Sequence, residues 1–304
     1  MGNPSGEERT IPVIEWPDLR ITTIDAGSLW LDGGAMFGVV PKPLWATRTE
    51  PDDRNRIPLA MRCLLVETAN ARILIDTGIG AKEPEKFLGI YRVDNAGSPT
   101  RLEHSLRAVG VEPDSIDMVL STHLHFDHAG GNTLRTADGT VTAAFPNAEY
   151  YIRRTEWDFA HLDNERVRAS YMLDNFDPLA SEDRIRFLDQ DTEIVPGVQV
   201  LHTAGHTPGH QSVLIGTGES RLLYLADLVP TAAHLPLPWI MGYDVEPLVT
   251  LESKRRILAK AVTEGWTLAF EHDPAIAWGR PVESSPGRVE LVDVETDLIV
   301  GRNE

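Results

Sequence analysis

The chain has 304 residues, of which 46 are acidic and 28 are basic, so its formal net charge is −18. Hydrophobic residues make up 42% of it, which excludes a mainly disordered chain because so apolar a sequence can bury a large core. The acidic balance argues against a nucleic-acid backbone or an anionic membrane surface as the main partner, since both would be repelled, and it favours small neutral substrates.

Residues 1–17 are polar and contain prolines, so they are predicted to form a flexible arm or a strand that docks late. From residue 18 to residue 304 no low-complexity linker interrupts the chain, and we expect one continuous domain. The first residues lack the apolar stretch of a secretory signal, and no segment approaches the length of a membrane span, which predicts a soluble cytoplasmic protein. The single cysteine, Cys63, excludes an intrachain disulfide, and its apolar surroundings predict a buried, inert thiol.

Short runs rich in Val, Ile, Leu or Tyr and bounded by turn-forming residues recur along the chain and predict β-strands. They cover residues 19–24, 61–67, 72–76, 116–121, 149–153, 184–188, 198–202, 211–215, 221–226 and 266–270. Helical periodicity is found at residues 102–109 and at residues 246–262, where Pro247 stands near the first turn. Two groups of strands with helices between them predict an α/β layered fold with two sheets.

A dense group of metal-ligand side chains follows the strand predicted at residues 116–121. In the segment STHLHFDHAGGN, His123 and His125 are two residues apart and point to the same side of an extended backbone. Asp127 and His128 follow in a turn, and a glycine pair then lets the chain bend tightly. A polar surface loop rarely concentrates ligands in this way, and a structural zinc site would normally be closed by four Cys or His ligands, so a functional metal site is predicted.

Three later residues of ligand type stand where predicted strands end. His206 lies in a loop just past residues 198–202, Asp227 follows residues 221–226, and His272 follows residues 266–270. A layered α/β fold collects residues that are distant in sequence at one edge of its sheets, so we expect these side chains to join the cluster around His123.

Taken together, these motifs resemble the metallo-β-lactamase superfamily of binuclear hydrolases over about residues 19–295. Within it, residues 122–132, 203–212 and 242–247 are similar to segments of N-acyl-homoserine lactone lactonases. The resemblance implies a four-layer αββα sandwich and two divalent metal ions, zinc first, with iron, manganese or cobalt as alternatives.

The resemblance also implies a division of the site residues. His123, His125 and His206 would hold one metal, Asp127, His128 and His272 would hold the second, and Asp227 would bridge the two. Asp76 and His210 would support these ligands from behind. The remaining histidines (His104, His161, His202 and His234) have no motif context and are interpreted as surface or core residues.

The hypothesis that follows is hydrolysis by a metal-bridging hydroxide, which would attack the carbonyl of an N-acyl-homoserine lactone or a related lactone and open the ring. Asp227 and Asp127 would be the catalytic carboxylates, with Asp127 accepting or relaying the proton. An organophosphate triesterase or a promiscuous arylesterase of the same superfamily is the alternative enzyme. A non-catalytic metal-binding protein is the alternative of a different class.

Two apolar, proline-containing runs, residues 33–45 and 234–243, are interpreted as rim loops of the substrate pocket or, equally well, as ordinary packing or a dimer contact. The predicted substrate contacts are Met36, Phe37, Phe126, Trp239 and Tyr243. In lactonases of known type a tyrosine three residues after the bridging Asp polarises the carbonyl, whereas Pro230 stands there in this chain, so Tyr243 or Tyr224 is predicted to replace it. The apolar loops and the resemblance also predict homodimers.

Overall fold

The computed structural model describes residues 11–285 and 287–297. The strands form in chain order: β1 (Val13–Trp16), β2 (Leu19–Asp32), β3 (Arg56–Thr68), β4 (Arg72–Ile75), β5 (Met118–Leu120), β6 (Thr133–Arg135), β7 (Val141–Ala143), β8 (Glu149–Arg153), β9 (Ile185–Leu188), β10 (Thr192–Val195), β11 (Val198–His202), β12 (Gln211–Thr217), β13 (Ser220–Tyr224), β14 (Thr267–Ala269), β15 (Ile276–Ser285) and β16 (Arg288–Thr296). Each of the ten predicted strands is present, with ends that differ by a few residues or, in β2 and β3, by more.

The α-helices are α1 (Gly33–Phe37), α2 (Lys42–Trp45), α3 (Glu85–Ile90), α4 (Arg101–Ala108), α5 (Phe126–Ala129), α6 (Arg154–Ala160), α7 (Asp177–Ser181) and α8 (Pro247–Glu264). The two helices predicted from periodicity are α4 and α8. A capping box between Thr100 and Glu103 starts α4, and α8 begins at Pro247 and ends at Gly265, whose φ of 70° terminates the helix.

The strands form two seven-stranded sheets and a small hairpin of β6 and β7. The first sheet has the order β1-β2-β3-β4-β5-β8-β9, and the second has the order β10-β11-β12-β13-β14-β15-β16. Pairing is antiparallel except from β4 to β9 in the first sheet and between β13 and β14 in the second.

Three hydrophobic clusters show how these layers pack. One cluster joins the facing sides of the two sheets, including Ile21 and Ile73 of the first and Val213 and Leu222 of the second. A second lies between the first sheet and its helices, and a third lies between the second sheet and α8. The order helix, sheet, sheet, helix confirms the four-layer α/β sandwich.

Strand direction places the candidate ligands at one edge of this sandwich. Because β4 and β5 run parallel, Asp76 and His123 follow strands that end on the same side. Parallel β13 and β14 likewise deliver Asp227 and His272 together. Since β11 and β13 both pair antiparallel with β12, β11 ends at that edge as well and is followed by the loop with His206.

Both ends of the described chain add strands to the two sheets. Within the segment 1–17, predicted as a flexible arm or a strand that docks late, Val13–Trp16 forms β1 and pairs with β2; residues 1–10 of that segment lie outside the described residues. Beyond His272, β15 and β16 form a long hairpin that completes the second sheet and that no strand predicted from the sequence covers. No helix among the described residues is long and apolar enough to cross a membrane.

The sheet-to-sheet cluster generates a stability prediction. Ile73 is fully buried in it, so Ile73→Ala should lower the free energy of unfolding by about 2–5 kcal/mol through lost burial and an unfilled cavity. Urea denaturation measures this. Leu248→Ala on the exposed side of α8 is the matched control and should change the value by less than about 0.5 kcal/mol; an equal effect of both variants would contradict the packing described.

Candidate metal centre

The four ligand-type residues of the sequence motif leave the first sheet in one short loop. His123 and His125 follow β5 in extended conformation, and the single turn of α5 then carries Asp127 and His128. The glycine pair behind them is required by a close approach, because a Cβ on Gly130 would lie 2.3 Å from the carbonyl oxygen of Ile79 and one on Gly131 would lie 2.3 Å from that of Thr77. Side chains there would push the loop off β4.

Asp227 lies at the middle of the cluster. Its Oδ2 atom is 3.0 Å from Nε2 of His206 and 3.8 Å from Nε2 of His123. Its Oδ1 atom is 3.2 Å from Nε2 of His272, and its Oδ2 atom is 3.5 Å from Nε2 of His128. One carboxylate therefore faces two separate sets of imidazoles.

The ligand atoms of these sets lie within 4.8 Å of one another inside each set. The sets are His123, His125, His206 and Asp227 for the first, and Asp127, His128 and His272 for the second. Every one of these side chains is buried, so water does not compete freely for the ligand atoms. The structure thus brings together all seven residues that the sequence singled out.

Hydrogen bonds on the far side of the rings decide where the imidazole lone pairs point. Nδ1 of His272 is 2.7 Å from the carbonyl oxygen of Ala60 and must carry a proton, as must Nδ1 of His206, which lies 2.9 Å from a carboxylate oxygen of Asp244. In the neutral rings the Nε2 atoms are then bare acceptors. Nε2 of His272 nevertheless lies 3.1 Å from Nε2 of His128, whose Nδ1 also faces carboxylates.

Lone pairs that face each other repel unless a cation lies between them. Nε2 of His123 and Oδ1 of Asp227 are also buried without a hydrogen-bond partner among the described residues. Buried polar atoms without partners are costly, and cations that bind imidazole and carboxylate would satisfy them. The donor set therefore fits two divalent metal ions.

The carboxylates at the site favour the binding of a cation. Although burial opposes the charged ring, the carboxylates of Asp227 and Asp244 raise the pKa of His206 to about 10. Burial likewise opposes the charged form of His272, but Asp227 raises its pKa to about 9. A metal that displaced these protons would meet the same negative field.

Comparison with known proteins agrees with this chemistry. The family model described as the metallo-beta-lactamase superfamily matches residues 58–272. The chain belongs to the metallo-beta-lactamase superfamily. The fold and family predicted from the sequence are confirmed.

This chain is similar to known enzymes and to solved structures. An N-acyl homoserine lactonase from Bacillus sp is 34% identical over 227 residues, which cover 71% of this chain and 82% of the relative. A probable metal-dependent hydrolase from Staphylococcus aureus superposes with a TM-score of 0.83 at 30% identity and covers 92% of this chain and 99% of that chain. An N-acyl homoserine lactone hydrolase, solved with N-hexanoyl-L-homoserine at its catalytic metal centre, has a TM-score of 0.62 at 29% identity, over 87% of this chain and 94% of that chain.

In this superfamily member, Asp76, the residue that follows β4, fixes the loop after β5 that carries the ligands. Its carboxylate accepts hydrogen bonds from the backbone N–H and the hydroxyl of Thr122, at 2.8 and 2.7 Å, and lies 3.2 Å from Nδ1 of His128. Asp76 adopts a φ of 56°, and Ala226, just before Asp227, adopts a φ of 45°. Non-glycine residues rarely occupy this left-handed region, so both turns are held under strain beside the site.

His210 acts on Asp227 through the backbone. Its Nδ1 atom donates to the carbonyl oxygen of Thr203, and its Nε2 atom accepts the N–H of Asp227 at 3.2 Å. Burial and the neighbouring His206 lower the pKa of His210 to about 3, so the ring stays neutral and keeps Nε2 as an acceptor.

Three supporting carboxylates were missed by the sequence reasoning. Asp244 orients His206, although its segment, residues 242–247, had been noted as similar to lactonases. Glu271 stands directly before His272, with a carboxylate oxygen 3.0 Å from Nδ1 of His128. Glu156 accepts from the N–H of Leu124 and from the hydroxyl of Thr207, which ties the two histidine loops together; no local motif marks it.

A cavity of about 190 Å³ opens onto the candidate ligands. Of the predicted substrate contacts, Met36, Phe126 and Tyr243 line it, and Tyr91, Arg166 and Met241 line it without having been predicted. The apolar residues and the few polar groups among them are typical of a small-molecule site.

The predictions for Phe37, Trp239 and Tyr224 are wrong. Phe37 is fully buried and stacks on His234 at a centroid distance of 4.5 Å, and Trp239 packs edge-on against Phe37 instead of reaching the cavity. Tyr224 is fully buried in the sheet, where its hydroxyl donates to the carbonyl oxygen of Arg62. All three side chains contribute to the core.

The hydrogen bond between Asp244 and His206 can be tested directly. Asp244→Ala frees the His206 ring to rotate, so metal affinity should fall about 10- to 100-fold. Metal content after dialysis against graded chelator measures this. Glu246→Ala, two residues along in the same segment but exposed, is the control, and equal metal retention in both variants would show that Asp244 does not orient the ring.

Proposed function

We propose that this chain is a binuclear metal-dependent hydrolase that opens the lactone ring of N-acyl homoserine lactones or related lactones. The observation that carries the proposal is the set of buried imidazole nitrogens that face each other around Asp227, because two divalent cations would satisfy all of them together. The 34% identical Bacillus enzyme, an N-acyl homoserine lactonase, supports the choice of lactone.

His123, His125 and His206 would hold one cation, Asp127, His128 and His272 the other, and Asp227 would offer one carboxylate oxygen to each. Zinc is the metal we propose first, since it accepts mixed imidazole and carboxylate ligands; iron, manganese and cobalt accept the same donors. When bound, the two cations supply an activated water and polarise the ester carbonyl.

The remaining work falls to residues of the cavity. The carboxylate of Asp127 lines it beside the candidate metal positions, where it can hold the proton that the attacking water loses and pass it to the alkoxide that leaves the opened ring. The apolar walls formed by Leu31, Met36 and Met241 exclude bulk water from the acyl group.

Tyr243 is the residue that we propose in place of the carbonyl-polarising tyrosine. Pro230 has no side-chain donor and its carbonyl oxygen accepts the N–H of His272. Tyr243 and Tyr91 line the same cavity as Asp127. Burial raises the pKa of both hydroxyls, so they stay protonated donors at neutral pH.

One domain over residues 18–304, a cytoplasmic location and a homodimer stay predictions of the sequence.

A substrate panel tests the proposed reaction. The metal-loaded protein should hydrolyse N-hexanoyl homoserine lactone with the highest kcat/KM in a panel that also contains an aryl lactone, an aryl ester and a paraoxon-type triester. Chelation should abolish turnover, and added zinc, manganese or cobalt should restore it. A preference for the triester would overturn the lactonase assignment in favour of a phosphotriesterase, and bound metal without turnover of any substrate would indicate a binding protein.

The role of Asp227 can be separated from general stability. Asp227→Ala removes the carboxylate that faces both imidazole sets, so metal content and activity should fall together. Metal analysis by mass spectrometry, together with lactone turnover, measures both quantities. Full activity at unchanged metal content would contradict the role.

The hydroxyl of Tyr243 is tested by Tyr243→Phe. Loss of one substrate hydrogen bond of about 1.4 kcal/mol should lower kcat/KM for the lactone about tenfold, with metal content unchanged. Tyr151→Phe is the matched control, since the Tyr151 hydroxyl donates to Glu149 away from the cavity. If the two variants behave alike, Tyr243 does not contact the substrate.

A further inference from the structure

A buried lysine lies behind the wall of the substrate cavity. Lys254, in the first half of α8, is 0% exposed. Its ammonium donates hydrogen bonds to the carbonyl oxygens of His234, of Pro236 at 2.8 Å and of Trp239 at 2.9 Å. An ammonium has three N–H donors, and each of them has one carbonyl acceptor here.

The three carbonyl oxygens belong to one segment, residues 234–239, whose sequence explains why a cation is needed there. Residues 234–239 read HLPLPW, and the two prolines have no backbone N–H with which to pair neighbouring carbonyls. The carbonyl oxygen of Pro236 accepts the N–H of Trp239, and the ammonium adds a donor to it and to the carbonyl oxygens of His234 and Trp239.

Lys254 has no carboxylate within ion-pairing distance among the described residues, and burial lowers its pKa to about 7, against the smaller opposing effect of Asp244. A lysine at this depth is destabilising by itself. The presence of Lys254 at this position is explained by the segment that its three hydrogen bonds fix.

Residues 234–239 do not line the cavity themselves but are joined to residues that do. His234 is anchored through Nε2, 2.8 Å from the carbonyl oxygen of Met36, and through Nδ1, 2.8 Å from the hydroxyl of Thr231. Just after the segment, the N–H of Gly242 donates to the carbonyl oxygen of Ala35. Met36, Met241 and Tyr243, which flank these bonds, all line the cavity.

We infer that Lys254 is a positioning residue for substrate recognition, whose ammonium holds three carbonyl oxygens of residues 234–239 together and thereby fixes the adjoining cavity wall formed by Met36, Met241 and Tyr243. Lys254 does not touch the substrate or the candidate ligands. The substrate named in the test rests on the proposed function, whereas the order of the wall does not.

The experiment compares donors at one position. Lys254→Met keeps an unbranched side chain, one atom shorter, and removes all donors, and Lys254→Gln keeps an amide with two N–H groups. Lys260→Met is the matched control, because Lys260 lies on the same helix with a half-exposed side chain over Trp266. Each protein is loaded with zinc and examined for metal content, for kcat and KM with N-hexanoyl homoserine lactone, and for backbone amide exchange in residues 234–243.

Lys254→Met should raise KM about tenfold and change kcat less, because the competent wall becomes a minor state. Two metals per chain should remain bound, exchange in residues 234–243 should accelerate, and Lys254→Gln should lie between this variant and the parent. Wild-type KM and exchange in Lys254→Met would overturn the inference, as would a loss of activity explained by lost metal alone.

If Lys254→Met fails to fold, Lys254→Gln is judged by the same criteria. If the parent protein opens no lactone, the proposed function fails, and the amide exchange still decides whether Lys254 orders the wall.

Discussion

The candidate metal centre depends on hydrogen bonds made on the far side of each imidazole. Ala60 and Asp244 accept the Nδ1 protons of His272 and His206, which leaves Nε2 of each ring aimed at Asp227 and free to bind a cation that displaces its proton. Thr122 completes the pattern for His123, since its hydroxyl donates to Asp76 and accepts from Nδ1 of the ring. Hydrogen-bond acceptors therefore face one another across the site, and this arrangement is stable only around positive charge.

The direction of the strands brings these residues together at one edge of the fold. Parallel pairing of β4 with β5 and of β13 with β14 brings four chain turns to one edge, and two of those turns contain a residue with positive φ, Asp76 and Ala226. Backbone strain of this kind persists only where the surroundings fix the turn. Here the surroundings are the bonds from Thr122 to Asp76 and from Asp227 to His210.

The sequence allowed prediction of ten of the sixteen strands among the described residues and the grouping of all seven ligand-type residues, because apolar runs and a dense HxHxDH motif are local signals. It did not allow prediction of partners such as Glu156, whose contacts with Leu124 and Thr207 arise only in the folded chain. Apolar loop residues were also ambiguous. Phe37 and Met36 are neighbours of similar character, yet one stacks in the core and the other lines the cavity, since the helical turn of α1 points them in different directions.

Buried or partly buried Arg and Lys side chains hold several irregular loops of this acidic chain in place. Arg62 donates to the carbonyl oxygens of Phe270 and Asp273 on either side of His272, and Lys82 donates to those of Gly130 and Thr133 just beyond His128. Lys254 does the same behind the cavity wall. Each supplies donors to backbone carbonyls in or beside the turns that carry ligands and substrate contacts, so those turns need not be regular to be fixed.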